Sequence, residues 1–160
     1  MSTAPTRRRL SRQALADAFL ETLPPLRRAI EARIPEDLRE ELATVTFHQL
    51  EVLLCLSEKG GLTMNDLARV QGVSLSSCTA LADRLVRHGL VERQTDPADR
   101  RVVRLVPTGR ALSVVERFRA AKRSGALAAL SGLDEEEVTT LVELMRKMAA
   151  AQNDDPRGCA

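Results

Sequence analysis

The chain of 160 residues has no tryptophan and no tyrosine, and it has three phenylalanines, three cysteines and two histidines. Stacking on a flat aromatic ligand would therefore rest on phenylalanine alone. The cysteines form no Cys-x-x-Cys pair and the histidines form no cluster, which argues against a zinc site. The sequence also lacks a glycine-rich phosphate loop and a recognisable Ser/His/Asp or paired-carboxylate set. We therefore expect a protein that is not an enzyme and that needs no cofactor.

No apolar run approaches the roughly 20 residues that a membrane-spanning helix needs. The N-terminal end is basic, but no apolar segment follows it, so the pattern of a secretion signal is missing. We therefore expect a cytoplasmic protein without a membrane partner or a disulfide framework. The net charge of only +2 does not exclude DNA binding, because a local basic patch is what neutralises phosphates.

The middle of the chain has the pattern of two helices joined by a tight turn. Thr63 and Ser74 are candidate N-caps, because a hydroxyl can accept a hydrogen bond from a free backbone N–H of the first helical turn. We expect the first helix over residues 64–70, stopping at Gln71-Gly72, and the second from Ser74 to Gly89. Such a helix-turn-helix can place its second helix in the major groove of DNA.

The second helix has an apolar face and a polar face. The apolar stripe, at helical spacing, consists of Leu75, Cys78, Leu81, Ala82 and Leu85. On the other side, small polar side chains permit close approach to base edges, and arginines can reach guanine or phosphate. The candidate DNA-binding residues of this helix are Ser74, Ser76, Ser77, Thr79, Ala80, Arg84 and Arg87. The hydroxyls could instead bond to backbone carbonyls within the helix, and Arg84 could form an internal ion pair with Asp83 or Glu92.

Two apolar segments, 90–93 and 102–106, bracket a polar turn and predict a β-hairpin, or wing, beside the second helix. Leu62 could form a very short strand that pairs with this wing. The wing contains four arginines, a density that a purely structural turn does not require. Its candidate DNA-binding residues are Arg93, Asp99, Arg100 and Arg101. Asp99 is expected to pair with a nearby arginine, and a winged helix that binds only protein is the alternative.

Five motifs in this region carry a family resemblance. They are Thr46-x-x-Gln49-Leu50, Thr63-Met64-x-Asp66-Leu67-Ala68, Val73-Ser74-x-Ser76-Ser77-x-Thr79, Asp83-Arg84-Leu85-Val86-x-x-Gly89-Leu90-Val91-x-Arg93 and Asp96-Pro97-x-Asp99-Arg100-Arg101. With them the chain resembles the multiple antibiotic resistance regulator (MarR) family of bacterial transcription factors. The resemblance implies a homodimer that binds a pseudo-palindromic operator on double-stranded DNA, usually as a repressor released by a small molecule or an oxidant.

The resemblance also assigns roles in the wing. Arg101 matches the second charged residue of the family's Asp-x-Arg motif, and we expect it to enter a narrow minor groove, which attracts arginine electrostatically. Adjacent strand residues point to opposite faces, so Arg100 is expected to reach phosphate instead.

Helical patterns on both sides predict a mainly α fold with a small β-hairpin wing, in which a winged helix-turn-helix core is flanked by N- and C-terminal dimerisation helices. We expect residues 1–8 to be a disordered tail and residues 9–160 to form a single domain. Within that domain, 9–45 and 109–152 supply the dimerisation helices and 46–106 form the DNA-binding lobe. The apolar stripes of the outer helices exceed what a small lobe can cover, so a second copy is expected to bury them.

The helix ends outside the motif region are also marked. Pro24-Pro25 predicts that the first helix kinks or restarts there, because proline lacks a backbone N–H. Thr46 and Gln49 resemble a capping box that opens a helix running to Ser57. After the wing, Thr108 and Asp134 are the expected N-caps of the last two helices.

For a small-molecule effector, the family resemblance places a pocket between the dimer helices and the DNA-binding lobe. The candidate lining residues are Phe19, Phe47, His48 and Cys55, and each of them could instead be ordinary packing. A cysteine-based redox-sensing regulator is the alternative function. Cys78 is expected in the core because it lies on the apolar stripe, whereas Cys159 lies in the tail.

Overall fold

The computed structural model describes residues 11–96 and 99–153. Its helices are α1 (Arg12–Glu31), α2 (Glu36–Ala43), α3 (Phe47–Lys59), α4 (Met64–Gln71), α5 (Leu75–Arg87), α6 (Gly109–Leu130) and α7 (Glu135–Asn153). Its strands are β1 (Leu62–Thr63), β2 (Val91–Thr95) and β3 (Val103–Pro107). This architecture confirms the predicted fold class, mainly α with a small β wing. The tail predicted for residues 1–8 and the tail cysteine Cys159 lie outside the described residues.

The three strands form one antiparallel sheet in the order β1-β3-β2. Strands β2 and β3 are the two arms of the wing, with Arg93 opposite Leu105. The very short strand predicted at Leu62 is confirmed, since Leu62 pairs with Leu105 on the other side of β3. The wing is therefore attached to the helical part of the fold through β1.

Helices α4 and α5 form the helix-turn-helix, with the predicted N-caps. Thr63 Oγ1 accepts a hydrogen bond of 3.1 Å from a first-turn N–H of α4, and Ser74 Oγ accepts one of 3.2 Å from the N–H of Ser77. Gly72 ends α4 with a φ of +64°, a left-handed conformation that costs glycine little. Helix α5 ends at Arg87, with the predicted Gly89 two residues beyond.

The same capping chemistry begins α3, α6 and α7. Thr46 and Gln49 form the predicted capping box of α3, which runs to Lys59, two residues further than expected. The predicted cap Thr108 accepts a hydrogen bond of 3.2 Å from the first turn of α6. At the start of α7, Asp134 Oδ1 accepts from the N–H of Glu137, whose side chain accepts from the N–H of Asp134.

The winged lobe, which we define as α3 through β3, has a core closed by the first half of α6. Its largest side chains without solvent exposure are Leu53, Leu56, Leu67, Leu85 and Leu105. Ala111 and Val115 of α6 belong to the same buried cluster. Removing a leucine side chain from water contributes about 1.5–3 kcal/mol, so this cluster is the main source of stability of the lobe.

One member of the predicted apolar stripe of α5 is not in this core. Cys78, Ala82 and Leu85 are buried, but Leu75 is 50% exposed. Leu75 is the first residue of α5, and helical side chains tilt towards the N-terminus of their helix. Its side chain therefore lies at the open end of the helix, where no preceding turn covers it, and its place on the apolar stripe does not bury it.

Of the two predicted outcomes, a kink or a restart, the restart does not occur, because α1 continues through Pro24 and Pro25. The two prolines leave two carbonyls without an intrahelical partner, but that part of α1 is exposed and water can bond to them. Packing along α6 holds α1 in place. At the crossing, a Cβ on Gly125 would overlap the carbonyl oxygen of Ile30, so the two helices lie very close together.

The outer faces of the terminal helices α1 and α7 are uncovered. Helix α1 has no buried residue, and α7 makes only sparse contact with the rest of the described chain. Large apolar side chains exposed on these two helices include Leu15, Phe19, Leu20, Leu23, Leu26, Leu141, Leu144, Met145 and Met148. Within the described ranges, no helix combines the length and apolar character that crossing a membrane requires.

Candidate nucleic-acid interface

The outer side of α5 presents small and basic side chains to solvent. Ser76, Ala80, Arg84 and Arg87 are all exposed. Within residues 11–96 and 99–153 the guanidinium of Arg84 has no ion-pair partner, so the competing internal pair does not form. The Arg87 side chain is held loosely, with its Nε 3.4 Å from the carbonyl oxygen of Asp83. Both arginines can therefore reach an anion outside the chain.

The hydroxyls at the start of α5 bond largely to one another. Ser74 Oγ donates to Ser77 Oγ at 2.9 Å and lies 3.0 Å from Ser76 Oγ. Thr79 Oγ1 donates to the carbonyl of Leu75 at 2.8 Å, the backbone bond that was the alternative interpretation. A hydroxyl has a single hydrogen, so Ser76 must donate to Ser74, whose own hydrogen is used. In this arrangement, the hydroxyl of Ser77 is the one whose hydrogen is not committed.

A salt bridge connects α5 to the wing. Nη2 of Arg93 lies 2.6 Å from Oδ1 of Asp83, and both side chains are about half exposed. Exposed pairs of this kind contribute about 0.2–1 kcal/mol, so its main effect is on geometry. Arg93, a candidate DNA-binding residue, is thus engaged with the protein and orients β2 against α5. Asp83 gains a positioning role that the sequence pattern did not assign to it.

The turn of the wing is held by its own acidic residues. Oδ1 of Asp99 accepts a hydrogen bond of 2.9 Å from the backbone N–H of Arg101. Among the described residues, Asp99 pairs with no arginine side chain, so that prediction was wrong. In the wing, the aspartate that does pair with an arginine side chain is Asp96, whose Oδ2 lies 3.3 Å from Nη1 of Arg104.

The two arginines at the turn remain exposed. Arg100 and Arg101 are both exposed, and neither forms an ion pair with another described residue. Arg104, in contrast, is bound on both sides, because its Nη2 also donates to the carbonyl of Gly61 at 2.8 Å. The wing therefore presents Arg100 and Arg101 on a turn that Asp99 and Arg104 stabilise. Pro97 and Ala98 of the family motif lie outside the described residues.

Arg110, a residue that sequence reasoning missed, connects three helices. From the first turn of α6, its Nε donates to Glu41 of α2 at 3.1 Å, and its Nη1 lies 3.4 Å from the carbonyl oxygen of His88. A cation is favourable at the C-terminal end of a helix such as α5. Arg117, further along α6, pairs with Asp37 and Glu41 of the same α2 helix. The recognition helix α5 is thus linked to α2 and α6 at its C-terminal end.

The four effector-pocket candidates are spread over two helices. Phe19 is exposed on α1, while Phe47 and His48 lie in the first turn of α3 with their side chains largely exposed. His48 Nδ1 lies 3.2 Å from Oε2 of Glu51, and the Phe47 and His48 rings meet edge to face with centroids 6.4 Å apart. Cys55 is half-buried on α3.

Two concavities on the surface of the single chain are lined by residues other than these four candidates. One of about 420 Å³ between α3 and α6 is lined by Ser57, Leu112, Val115, Glu116, Arg119, Ala120 and Arg123. Another of about 410 Å³ between α1 and α6 is lined by Leu23, Pro24, Leu26, Arg27, Ile30 and Lys122. None of the four effector-pocket candidates contributes to either concavity.

Cys78 is 2% exposed, which confirms its predicted core position. Its Sγ lies 3.8 Å from the carbonyl oxygen of Met64 in α4. Burial raises the pKa of the Cys78 thiol, because the charged thiolate loses its hydration in the core. The reactive thiolate form is therefore disfavoured at this position.

The helix-turn-helix, the wing beside it and the three-stranded sheet define a winged helix-turn-helix protein. The MarR family model matches residues 45–103, the span from just before α3 to the start of β3. The HTH-type transcriptional repressor MdtR of Bacillus subtilis (strain 168) is 29% identical over 144 residues, which are 89% of this chain and 93% of MdtR.

Solved structures resemble this chain over nearly its whole length. The crystal structure of the YusO protein from Bacillus subtilis is 30% identical with a TM-score of 0.66, and the match covers 89% of this chain and 99% of YusO. A MarR family protein from Bacillus stearothermophilus is 26% identical with a TM-score of 0.64, covering 91% of this chain and 100% of that one. The chain belongs to the MarR family of transcriptional regulators.

Proposed function

We propose that this chain is a homodimeric repressor that binds a pseudo-palindromic operator, with α5 in the major groove and the wing at the minor groove. The observation that carries the proposal is the set of exposed arginines without an ion-pair partner in the described chain: Arg84, Arg100 and Arg101. Arginine reaches guanine edges, phosphates and narrow minor grooves. The salt bridge between Asp83 and Arg93 holds the helix and the wing together, so both can approach the same duplex.

The exposed terminal helices support the homodimer. Leu144 and Met145 of α7 are 55% and 57% exposed, and Phe19 of α1 is 45% exposed. Each side chain of this size gains about 1.5–3 kcal/mol when it is fully buried. A second copy with the same apolar faces would bury these residues by two-fold symmetry. The dimer would present two copies of α5 about 34–36 Å apart, one helical turn of DNA.

Release by a small-molecule effector is part of the proposal. The concavity between α3 and α6 supports it, because α6 closes the lobe core with Val115 and continues to its contact with α1 at Gly125. A ligand there would change how the lobe sits on the terminal helices. Phe19, Phe47, His48 and Cys55 remain candidates for a pocket completed by the partner chain. We propose that the regulator works in the cytoplasm, where a bacterial chromosome is accessible to it.

A cysteine-based redox sensor and a protein-interaction module without DNA affinity are the alternatives. The burial of Cys78 and its raised thiol pKa argue against Cys78 as the sensing residue of the first, since oxidants react with accessible thiolates. The second does not require unpaired arginines at both α5 and the wing. A redox sensor would bind DNA only before mild peroxide treatment, and an interaction module would not bind it at all.

The test uses a duplex enriched from a random-sequence DNA library by the purified full-length chain, which we call the selected duplex. Replacing Arg101 with alanine should weaken binding to it about tenfold, the value of one good direct contact. If Arg101 reaches a phosphate, the slope of log affinity against log salt should also fall by about one. Fluorescence anisotropy over a series of salt concentrations measures both quantities.

The matched control is Arg33→Ala, at an exposed position between α1 and α2. This variant should bind like the unmodified chain. Failure of the library to yield any selected duplex would overturn DNA binding. Equal affinities of Arg101→Ala and Arg33→Ala would remove the wing from the mechanism.

A further inference from the structure

The first turn of α5 exposes an apolar side chain that belongs to the predicted apolar stripe of the helix. Leu75 is 50% exposed, whereas the side chains that follow it on the same stripe, Cys78 and Ala82, are 2% and 0% exposed. Because helical side chains tilt towards the N-terminus, the Leu75 side chain extends beyond the first turn. It occupies the end of the recognition helix that approaches base edges in a helix-turn-helix.

The polar side chains around Leu75 have few free hydrogen-bond donors. The hydroxyl hydrogens of Ser74 and Ser76 are used within the serine cluster, and that of Thr79 is used on the Leu75 carbonyl. Of these four hydroxyls, only that of Ser77 keeps a free hydrogen. Hydrogen-bonded readout of bases at this end of α5 is therefore limited. Beside the Ser77 hydroxyl, the Leu75 side chain is an exposed group at this end of α5 that can distinguish one base from another by apolar contact.

We propose that Leu75 reads a thymine in each half of the operator by contact with its C5-methyl group; this rests on the DNA-binding function proposed above. Thymine is the base that presents an apolar group on the major-groove edge. A leucine side chain contacting that methyl removes apolar surface of both groups from water. Such a contact selects thymine over cytosine without any hydrogen bond.

The charges on α5 and on the wing favour DNA over an apolar protein partner. Arg84 and Arg87 are exposed on the same helix, and Arg100 and Arg101 are exposed on the wing. Together α5 and the wing present four exposed cations, which suit a polyanion whose base edges carry a methyl group. The four arginines would repel the same basic surface of a second copy. Against an apolar protein surface, they would be left without anionic partners.

The experiment replaces each thymine of the selected duplex by uracil, one position at a time, which removes the methyl group and nothing else. For the unmodified chain we expect affinity to fall about fourfold at one thymine in each half-site, since a buried CH₂-sized group contributes about 0.8 kcal/mol. The Leu75→Ala variant should bind the thymine duplex more weakly and should bind the uracil duplex at that position with no further loss. Leu75→Met, which keeps an apolar side chain of similar length, should retain the dependence on the methyl.

Leu133→Ala is the matched control, because Leu133 is 41% exposed between α6 and α7, outside the helix-turn-helix. It should keep both the affinity and the uracil pattern of the unmodified chain. The inference is overturned if no thymine position responds to uracil, or if Leu75→Ala shows the same response as the unmodified chain. The selected duplex itself separates the two claims: a chain that selects a duplex but ignores methyl groups retains the proposed function and loses this inference. A chain that selects none loses both.

Discussion

The winged lobe buries its large apolar side chains, whereas the terminal helices expose theirs. In the lobe, Leu53, Leu67 and Leu105 have no solvent exposure. In α1 no residue is buried, and on α7 Leu144 is 55% exposed. The same residue types thus stabilise one region within a single chain and are left in solvent in the other. The lobe has a self-contained core, whereas the terminal helices expose the kind of apolar surface that proteins bury in interfaces.

Helix α6 joins these two regions, and its two halves show the same contrast. Its first half closes the lobe core through Ala111 and Val115. Its second half crosses α1 at Gly125, with the neighbouring Leu127 65% exposed. Any change in the angle between the terminal helices would therefore pass along one continuous helix to the lobe. Arg110 adds a second connection, because it contacts both α2 and the carbonyl of His88 at the end of α5.

The largest effect is expected from a charge placed in the uncovered face of α7. Leu144→Glu should prevent dimer formation, since a buried, unpaired carboxylate is costly. Affinity for the selected duplex should fall about a hundredfold or more, because two linked half-site contacts become one. Size-exclusion chromatography with light scattering measures the mass, and anisotropy measures the affinity.

Ala150→Glu is the control, since Ala150 is exposed on α7 and is not one of its large apolar side chains. It adds the same charge and should change neither mass nor affinity. A dimer that survives Leu144→Glu would show that α7 is not part of the interface and would remove the contrast between the two regions.

A second prediction tests the crossing of α1 and α6. Gly125→Ala should lower the free energy of unfolding by about 1–3 kcal/mol, because the added Cβ overlaps the backbone of Ile30. Gly109→Ala on the same helix should instead raise it by about 0.4–1 kcal/mol, since a Cβ there meets no neighbouring atom. Urea unfolding followed by circular dichroism compares the two variants. Changes of the same sign would show that α1 does not pack on α6 as described.

The smallest effect concerns the pH dependence of lobe stability. Burial raises the pKa of the Cys78 thiol above its usual 9.0, so deprotonation costs more in the folded chain than in the unfolded one. Its contribution to stability is complete below the unfolded pKa and is lost as the pH rises through the folded pKa. Between these two pKa values the free energy of unfolding should fall by at most about 1.4 kcal/mol per pH unit.

Unfolding between pH 8 and 10 gives the measurement. Cys78→Ala should show a shallower decline than the unmodified chain. Val52→Ala, which removes buried apolar atoms and no ionisable group, should show the same decline as the unmodified chain. If removal of the Cys78 thiol leaves the change of unfolding free energy with pH unaltered, burial in the lobe core does not raise the pKa of this thiol.

Local sequence signals predicted most of the lobe. The caps Thr63, Ser74 and Thr108 act within one helical turn, and each was predicted because the residue and its partner are close in sequence. These features depend on a few adjacent residues, so a single sequence is enough to show them.

Features that depend on distant residues were missed or predicted wrongly. The contact of Arg110 with Glu41 joins residues 69 positions apart and leaves no periodic signal. The exposure of Leu75 depends on which element covers the end of α5, whereas helical periodicity shows only which side of the helix it is on. Pro24 and Pro25 are tolerated because α6 supports α1, and local propensity does not include that support.

Sedimentation of the full-length chain with the selected duplex tests the central claim most directly. The account predicts a complex of two 17.6 kDa chains on one duplex, and predicts that Leu144→Glu does not form it at the same concentration. A single chain bound to the duplex with full affinity would contradict the account, since the exposed faces of α1 and α7 would then have no role in binding DNA.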